Sequence, residues 1–148
     1  MEQNVLMQFQ DLGLAAAVSL AAIGSALGSG SAGMSAVGAW KKCYAQSKAA
    51  PFLLVAFVGA PLSQTIYGMI LMNKIAGAVQ GGAYYWGAGI FGGAALGVSA
   101  WFQGKAGAGA ADALAETGKG FTNYLMVLGI IETVALFVMV FLLGKVGA

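Results

Sequence analysis

Glu132 carries the clearest chemistry in this chain of 148 residues, because it sits within an unbroken apolar run, between Leu128, Gly129, Ile130 and Ile131 on one side and Val134 and Leu136 on the other. An isolated carboxylate inside a membrane costs at least about 2.5 kcal/mol on insertion scales, so Glu132 needs a partner, a proton or a cation. A second polar group lies at 59–67, where Ser63, Gln64 and Tyr67 occupy one side of a helix, since positions i and i+4 share a face and i+1 lies about 100° away. Just ahead of them Pro61 has no N–H to give. It leaves the Phe57 carbonyl without its usual partner and loosens the turn, so that nearby backbone oxygens can point inward. Gln103 supplies a further amide oxygen from a third segment. Hydroxyl, amide and carboxylate oxygens together suit a hard cation, whereas a proton carrier needs only the acid and one acceptor. The bland alternative is a protonated Glu132 that merely hydrogen-bonds a neighbouring helix.

The elements that must position these residues are helices in lipid. Seven Lys and five acids are the only charged side chains, far below the roughly 25% charged share of a soluble domain. Apolar stretches run from Leu12 to Ala39, Phe52 to Met72, Tyr84 to Ala111 and Phe121 to Gly144. Each is long enough for the roughly 20 helical residues that cross a hydrocarbon core, and none alternates as a membrane strand does. The expected class is an all-α membrane protein with four transmembrane helices. Near helix ends, Lys41, Lys42, Lys48, Lys105 and Lys119 fall on one side and Lys74 and Lys145 on the other. The positive-inside rule therefore places the first and third connections in the cytoplasm and both termini outside. The acidic start (Glu2, Asp11) lacks the basic region of a cleavable signal peptide, so Met1 is expected to remain.

Other chemistries drop out. Without His and with one Cys, Cys43, there is no His-based zinc site, no Ser-His-Asp or Cys-His catalysis and no internal disulfide. A net charge of +2 provides no basic face for nucleic acid. Gly28, Gly30 and Gly33 fit a dinucleotide pattern but lie inside an apolar helix rather than after a strand, and no organic cofactor is implied. Trp40, Trp86 and Trp101 read as interfacial or packing aromatics.

The chain reads as one helical hairpin written twice. An offset of 69 residues aligns Gly24, Leu27, Gly28, Gly38, Phe52 and Val58 with Gly93, Leu96, Gly97, Gly107, Phe121 and Val127, giving tandem repeats over 1–79 and 80–148. Two crossings per repeat make the halves parallel. In each, the first helix is the small one: Gly24 and Gly28, and Gly89, Gly93 and Gly97, recur every four residues and form a face for close approach of a neighbouring helix. Under this offset Glu132 corresponds to Ser63, and Gln103 to Met34, so only one of two equivalent positions carries an acid.

The combination of the duplicated hairpin, Pro61-x-Ser63-Gln64-x-x-Tyr67-Gly68, Gln103-Gly104-Lys105 and Glu132-Thr133 resembles the proteolipid, the rotor-ring component, of bacterial V-type rotary ATPases, over essentially the whole chain. The resemblance implies a closed homo-oligomeric ring in the plasma membrane, with the small helices innermost. It would turn on central-stalk subunits against a stator subunit bearing an Arg, in contact with lipid, as a non-catalytic part of an ATP-driven pump. It also implies a Na⁺ site made by the Ala60 backbone carbonyl, Ser63, Gln64, Gln103 and Glu132, with Tyr67 holding the carboxylate and Pro61 shaping the turn. Glu132 is then the ion-translocating residue. H⁺ in place of Na⁺ is the alternative cargo. A small secondary transporter is a weaker alternative, since one carboxylate and four helices leave little room for a private pathway.

Overall fold

The computed structural model describes residues 2–80 and 84–147, with side chains from residue 12 onward. Met1, the side chains of Glu2 and Asp11, and the part of the second connection at 81–83 lie outside the described residues. Among the described residues every regular element is helical: α1 (Glu2–Ala45), α2 (Leu54–Gly59), a 3₁₀ turn (Ala60–Leu62), α3 (Ser63–Val79), α4 (Trp86–Thr117) and α5 (Phe121–Leu143).

Three segments, Leu12–Ala45, Leu54–Val79 and Phe121–Leu143, are long and apolar enough to cross a membrane. The fourth expected span differs. α4 is 32 residues long, yet it is so rich in Gly and Ala that it does not reach the same hydropathy. Its small residues serve contact instead. A Cβ on Gly24 would collide with the backbone of Gly97, and one on Gly104 with the backbone of Gly28. α1 and α4 thus run parallel with their backbones touching, as small-xxx-small faces allow in lipid, where a bulkier side chain would hold the helices apart. Gly24 faces Gly97, Ser35 Oγ donates to the Ala108 carbonyl at 2.6 Å and Cys43 lies against Ala115, so the packed register runs about one helical turn beyond the 69-residue alignment.

The other helices fold back along this pair. α3 lies antiparallel to α1, with Gly68 against Ala17 and Ala21 and with Pro61 against Gly28. α5 returns antiparallel along α4, with the Ser99 hydroxyl donating to the Ile131 carbonyl at 3.0 Å. Gly118 at φ +65° ends α4, its N–H donating to the Leu114 carbonyl at 2.8 Å, and Gly120 at φ +88° opens α5. Two left-handed positions within three residues make the reversal tight, and both are glycine because a Cβ disfavours that conformation. At the first connection Ser47 takes the left-handed conformation, and the Trp40 indole N–H donates to the Pro51 carbonyl at 2.8 Å.

Apolar packing is concentrated towards the two ends of the molecule. One cluster gathers Ala36, Leu54, Phe57, Leu114 and Leu128, with the Phe57 ring tilted against that of Phe121 at 5.5 Å between centroids. Another, at the opposite end, gathers Ala17, Leu71, Ile75 and Val146. Between them lies a polar layer containing the fully buried Gln64 and Gln103. α5 is the most exposed helix, burying only Leu128 and Ala135 completely.

Candidate functional site

Pro61 sits at the junction of α2 and α3, where the chain tightens into the 3₁₀ turn rather than continuing as α-helix. A proline ring excludes the carbonyl four residues back and supplies no N–H. The Phe57 carbonyl faces α4 instead, where a Cβ on Gly107 would approach its oxygen to 3.0 Å. At the start of α3 the Ser63 hydroxyl lies 3.1 Å from the Ala60 carbonyl and 3.1 Å from Gln64 Oε1. One hydroxyl proton serves one of these acceptors at a time. Three oxygens of different chemical type, the hydroxyl's own among them, therefore stand together beside the turn.

Gln64 Nε2 donates to Gln103 Oε1 at 2.9 Å, tying α3 to α4. Gln103 Nε2 donates to the Leu128 carbonyl at 3.0 Å and to Glu132 Oε2 at 3.2 Å, tying α4 to α5. The Tyr67 hydroxyl donates to Glu132 Oε1 at 2.7 Å, closing the circuit from α5 back to α3. Both carboxylate oxygens thus accept a hydrogen bond, while Glu132 itself remains half-buried. The two buried amides are satisfied by one another and by Leu128, which offsets the cost of burying a polar group in an apolar interior.

Every residue singled out in the sequence (Ala60, Pro61, Ser63, Gln64, Tyr67, Gln103 and Glu132) lies in this one layer, drawn from three helices and a turn. The amide of Gln103 nonetheless faces Glu132 through its nitrogen, its oxygen being engaged with Gln64. Exchanging the O and N of this amide is a rotation of the side chain alone, and it would turn an acceptor towards the carboxyl group, an arrangement that either an intervening cation or a proton on Glu132 stabilises. Sequence reading misses Ser99, which is buried one turn before Gln103 and bonds the Ile131 carbonyl, next to Glu132. The available signal is the i, i+4 spacing of Ser99 and Gln103 on one face of α4.

α4 and α5 form the stretch that compares with known proteins. Residues 86–143 match the family model of the C subunit of ATP synthase. The matched stretch begins at the first residue of α4 and ends at the last of α5, so it contains Ser99, Gln103 and Glu132. The match covers 58 of the 148 residues and is a likeness of α4 and α5 to that subunit. No curated protein matches the chain.

Proposed function

We propose that the chain is the rotor-ring proteolipid of a bacterial V-type ATPase and carries Na⁺ across the plasma membrane on Glu132. The observation that carries this reading is the juxtaposition of one mid-helix carboxylate with a set of neutral oxygens larger than a proton requires: the Ala60 carbonyl, Ser63 Oγ, and the side chains of Gln64 and Gln103. Na⁺ favours such oxygen ligands, and the groups that carry them follow one another at 2.9–3.2 Å from Ala60 to Glu132. In this reading α4 crosses the membrane with the other three rods as part of a two-hairpin protomer. The connections 1–2 and 3–4 are cytoplasmic, and both termini face outside.

The chain's own residues divide the work. Ala60, Ser63 and Gln64 present oxygens from the turn and α3. Gln103 reorients its amide to add an oxygen when the cation enters. Tyr67 keeps the Glu132 carboxylate pointed at the site. A cation-loaded Glu132 is electrically neutral and passes the lipid-facing arc of the ring, whereas an emptied carboxylate is not, so exchange takes place where a stator subunit admits water. There a stator Arg attracts the emptied carboxylate. Moving each charge requires about 2.3 kcal/mol per 100 mV, small enough for one ATP to drive several.

H⁺ is a second cargo reading, favoured by one observation: the Gln103 nitrogen rather than its oxygen faces Glu132. Native mass spectrometry of the detergent-purified protein, with and without Na⁺, separates the readings. A closed ring that takes up one Na⁺ per chain, and loses it in Glu132→Gln without losing the ring, fits the proposal. A ring indifferent to Na⁺ fits H⁺, and a monomer or dimer fits a secondary transporter.

A further inference from the structure

Among the described residues two buried hydroxyls have no hydrogen-bond partner, Ser25 Oγ and Ser29 Oγ of α1. Ser31 and Thr117 show the usual alternative, each turning its hydroxyl onto the carbonyl four residues back at 2.7 Å. Ser25 does not, although it is only 2% exposed. A hydroxyl in that state has given up its water and received nothing in exchange.

The α1–α3 seam fixes what Ser25 faces. A Cβ on Gly68 would come 2.7 Å from the Ala21 Cβ, and one on Gly28 would come 3.0 Å from the Pro61 Cβ. Because the two helices are antiparallel, each step forward along α1 is matched by a step back along α3. Ser25 lies four residues beyond Ala21 and three before Gly28, while Gln64 lies four before Gly68 and three beyond Pro61. Ser25 and Gln64 are therefore level, and both are buried. By the same count Ser29 falls opposite Ala60, whose side chain has neither donor nor acceptor.

Gln64 has a matching deficit. Its Oε1 is engaged by the Ser63 hydroxyl and one proton of Nε2 goes to Gln103 Oε1 at 2.9 Å, which leaves the second proton with no acceptor among the described residues. An amide nitrogen carries two donors and accepts nothing. When Gln103 turns its oxygen towards a cation on Glu132, its own nitrogen comes to face that of Gln64, and the bond between the two amides is lost. Gln64 then needs another acceptor, one that lets its oxygen stay at the site. We propose that Ser25 is this acceptor: its hydroxyl oxygen takes an N–H of Gln64 as Gln103 reorients, and so keeps Gln64 Oε1 directed at the ion. Ser25 is a positioning residue that contributes no ligand itself. Through it the glycine-rich helix α1 sets part of the affinity of a site built on α3, α4 and α5, and the inference rests on the Na⁺ reading of that site.

Calorimetric titration of the purified protein with Na⁺, together with its thermal melting in the absence and presence of Na⁺, tests this role. Ser25→Ala should lower Na⁺ affinity about tenfold, the worth of one buried amide–hydroxyl bond, and leave melting without Na⁺ unchanged. Ser25→Cys keeps the shape but offers a weak acceptor, so its affinity should fall in the same direction. Ser31→Ala, whose hydroxyl is bonded within α1, should match the unaltered protein. Unchanged affinity in Ser25→Ala overturns the proposal and leaves the hydroxyl to the Ala21 carbonyl. An equal loss of thermal stability with and without Na⁺ at unchanged affinity overturns it as well, because Ser25 then serves packing alone. So does failure of both Ser25 variants to assemble, which would assign the hydroxyl to the ion-free fold. An unaltered protein that takes up no Na⁺ refutes the Na⁺ reading itself, whereas one that binds Na⁺ no more tightly than Ser25→Ala refutes this inference alone.

Discussion

The α1–α4 seam and the α3–α5 seam are built from opposite materials. Along α1–α4, glycine lies against glycine backbone, with no room for a Cβ at Gly24 or Gly104. Along α3–α5, the closest link is a side chain to a side chain, Tyr67 to Glu132, on a helix that buries only two residues completely. The first seam has one way to pack. The second has side chains that can rotate while the backbones stay fixed. The proposed rotor function would call for both properties, a wall that does not yield and a site that opens and closes within it, and α4 joins the two seams by meeting α1 through its glycines and α5 through Ser99 and Gln103.

Substitutions that attack the rigid seam should have the largest effect. Gly24→Leu forces a branched side chain into the Gly97 backbone, and the expected outcome is loss of folded protein in detergent, measured by circular dichroism and size-exclusion chromatography. Glu132→Gln should do the reverse, leaving the helices and assembly unchanged while abolishing Na⁺ binding, as read by calorimetry on the purified protein. A Glu132→Gln chain that fails to assemble would show the two seams to be less separate than the geometry indicates. Gln103→Leu removes two donated bonds and strands the Gln64 amide, a loss of about 1–3 kcal/mol, so Na⁺ affinity should fall roughly tenfold to a hundredfold. Tyr67→Phe removes one bond to a half-buried carboxylate, for which about a three- to tenfold loss is expected in the same titration. Ser99→Ala should give the smallest change, about twofold, because it frees a backbone carbonyl beside Glu132 without touching the carboxylate.

The polar layer is legible in the sequence because its residues are anomalies. An acid inside Leu128–Leu136, and a proline followed by Ser63 and Gln64 in a membrane-length helix, have no reason to be there except one another. Periodicity places them on helix faces, and hydropathy places the rods. What the sequence does not disclose is what depends on contact. The composition of α4 reads as that of a span, yet its Gly and Ala content reflects packing against α1, and the register of that packing depends on how two glycine faces interlock. Lys105 reads as a helix-end charge because a glycine-rich segment gives no marker of depth; it lies 12 residues before the end of α4, where its neighbour Ala106 meets Val127 and Leu128 of α5. Ser99 does not stand out because serine is common in such helices, and only its bond to Ile131 distinguishes it. The amide orientation of Gln103 likewise follows from three partners on two helices.

The central claim is that Glu132 is an exchangeable Na⁺ ligand rather than a proton carrier or a fixed structural acid. Carbodiimide labelling of the purified protein, mapped to the peptide containing Glu132 and repeated over a range of Na⁺ concentrations, measures this directly. The predicted result is modification at Glu132 alone, slowed progressively as Na⁺ fills the site. Labelling at Glu132 whose rate is the same with and without Na⁺ would contradict it.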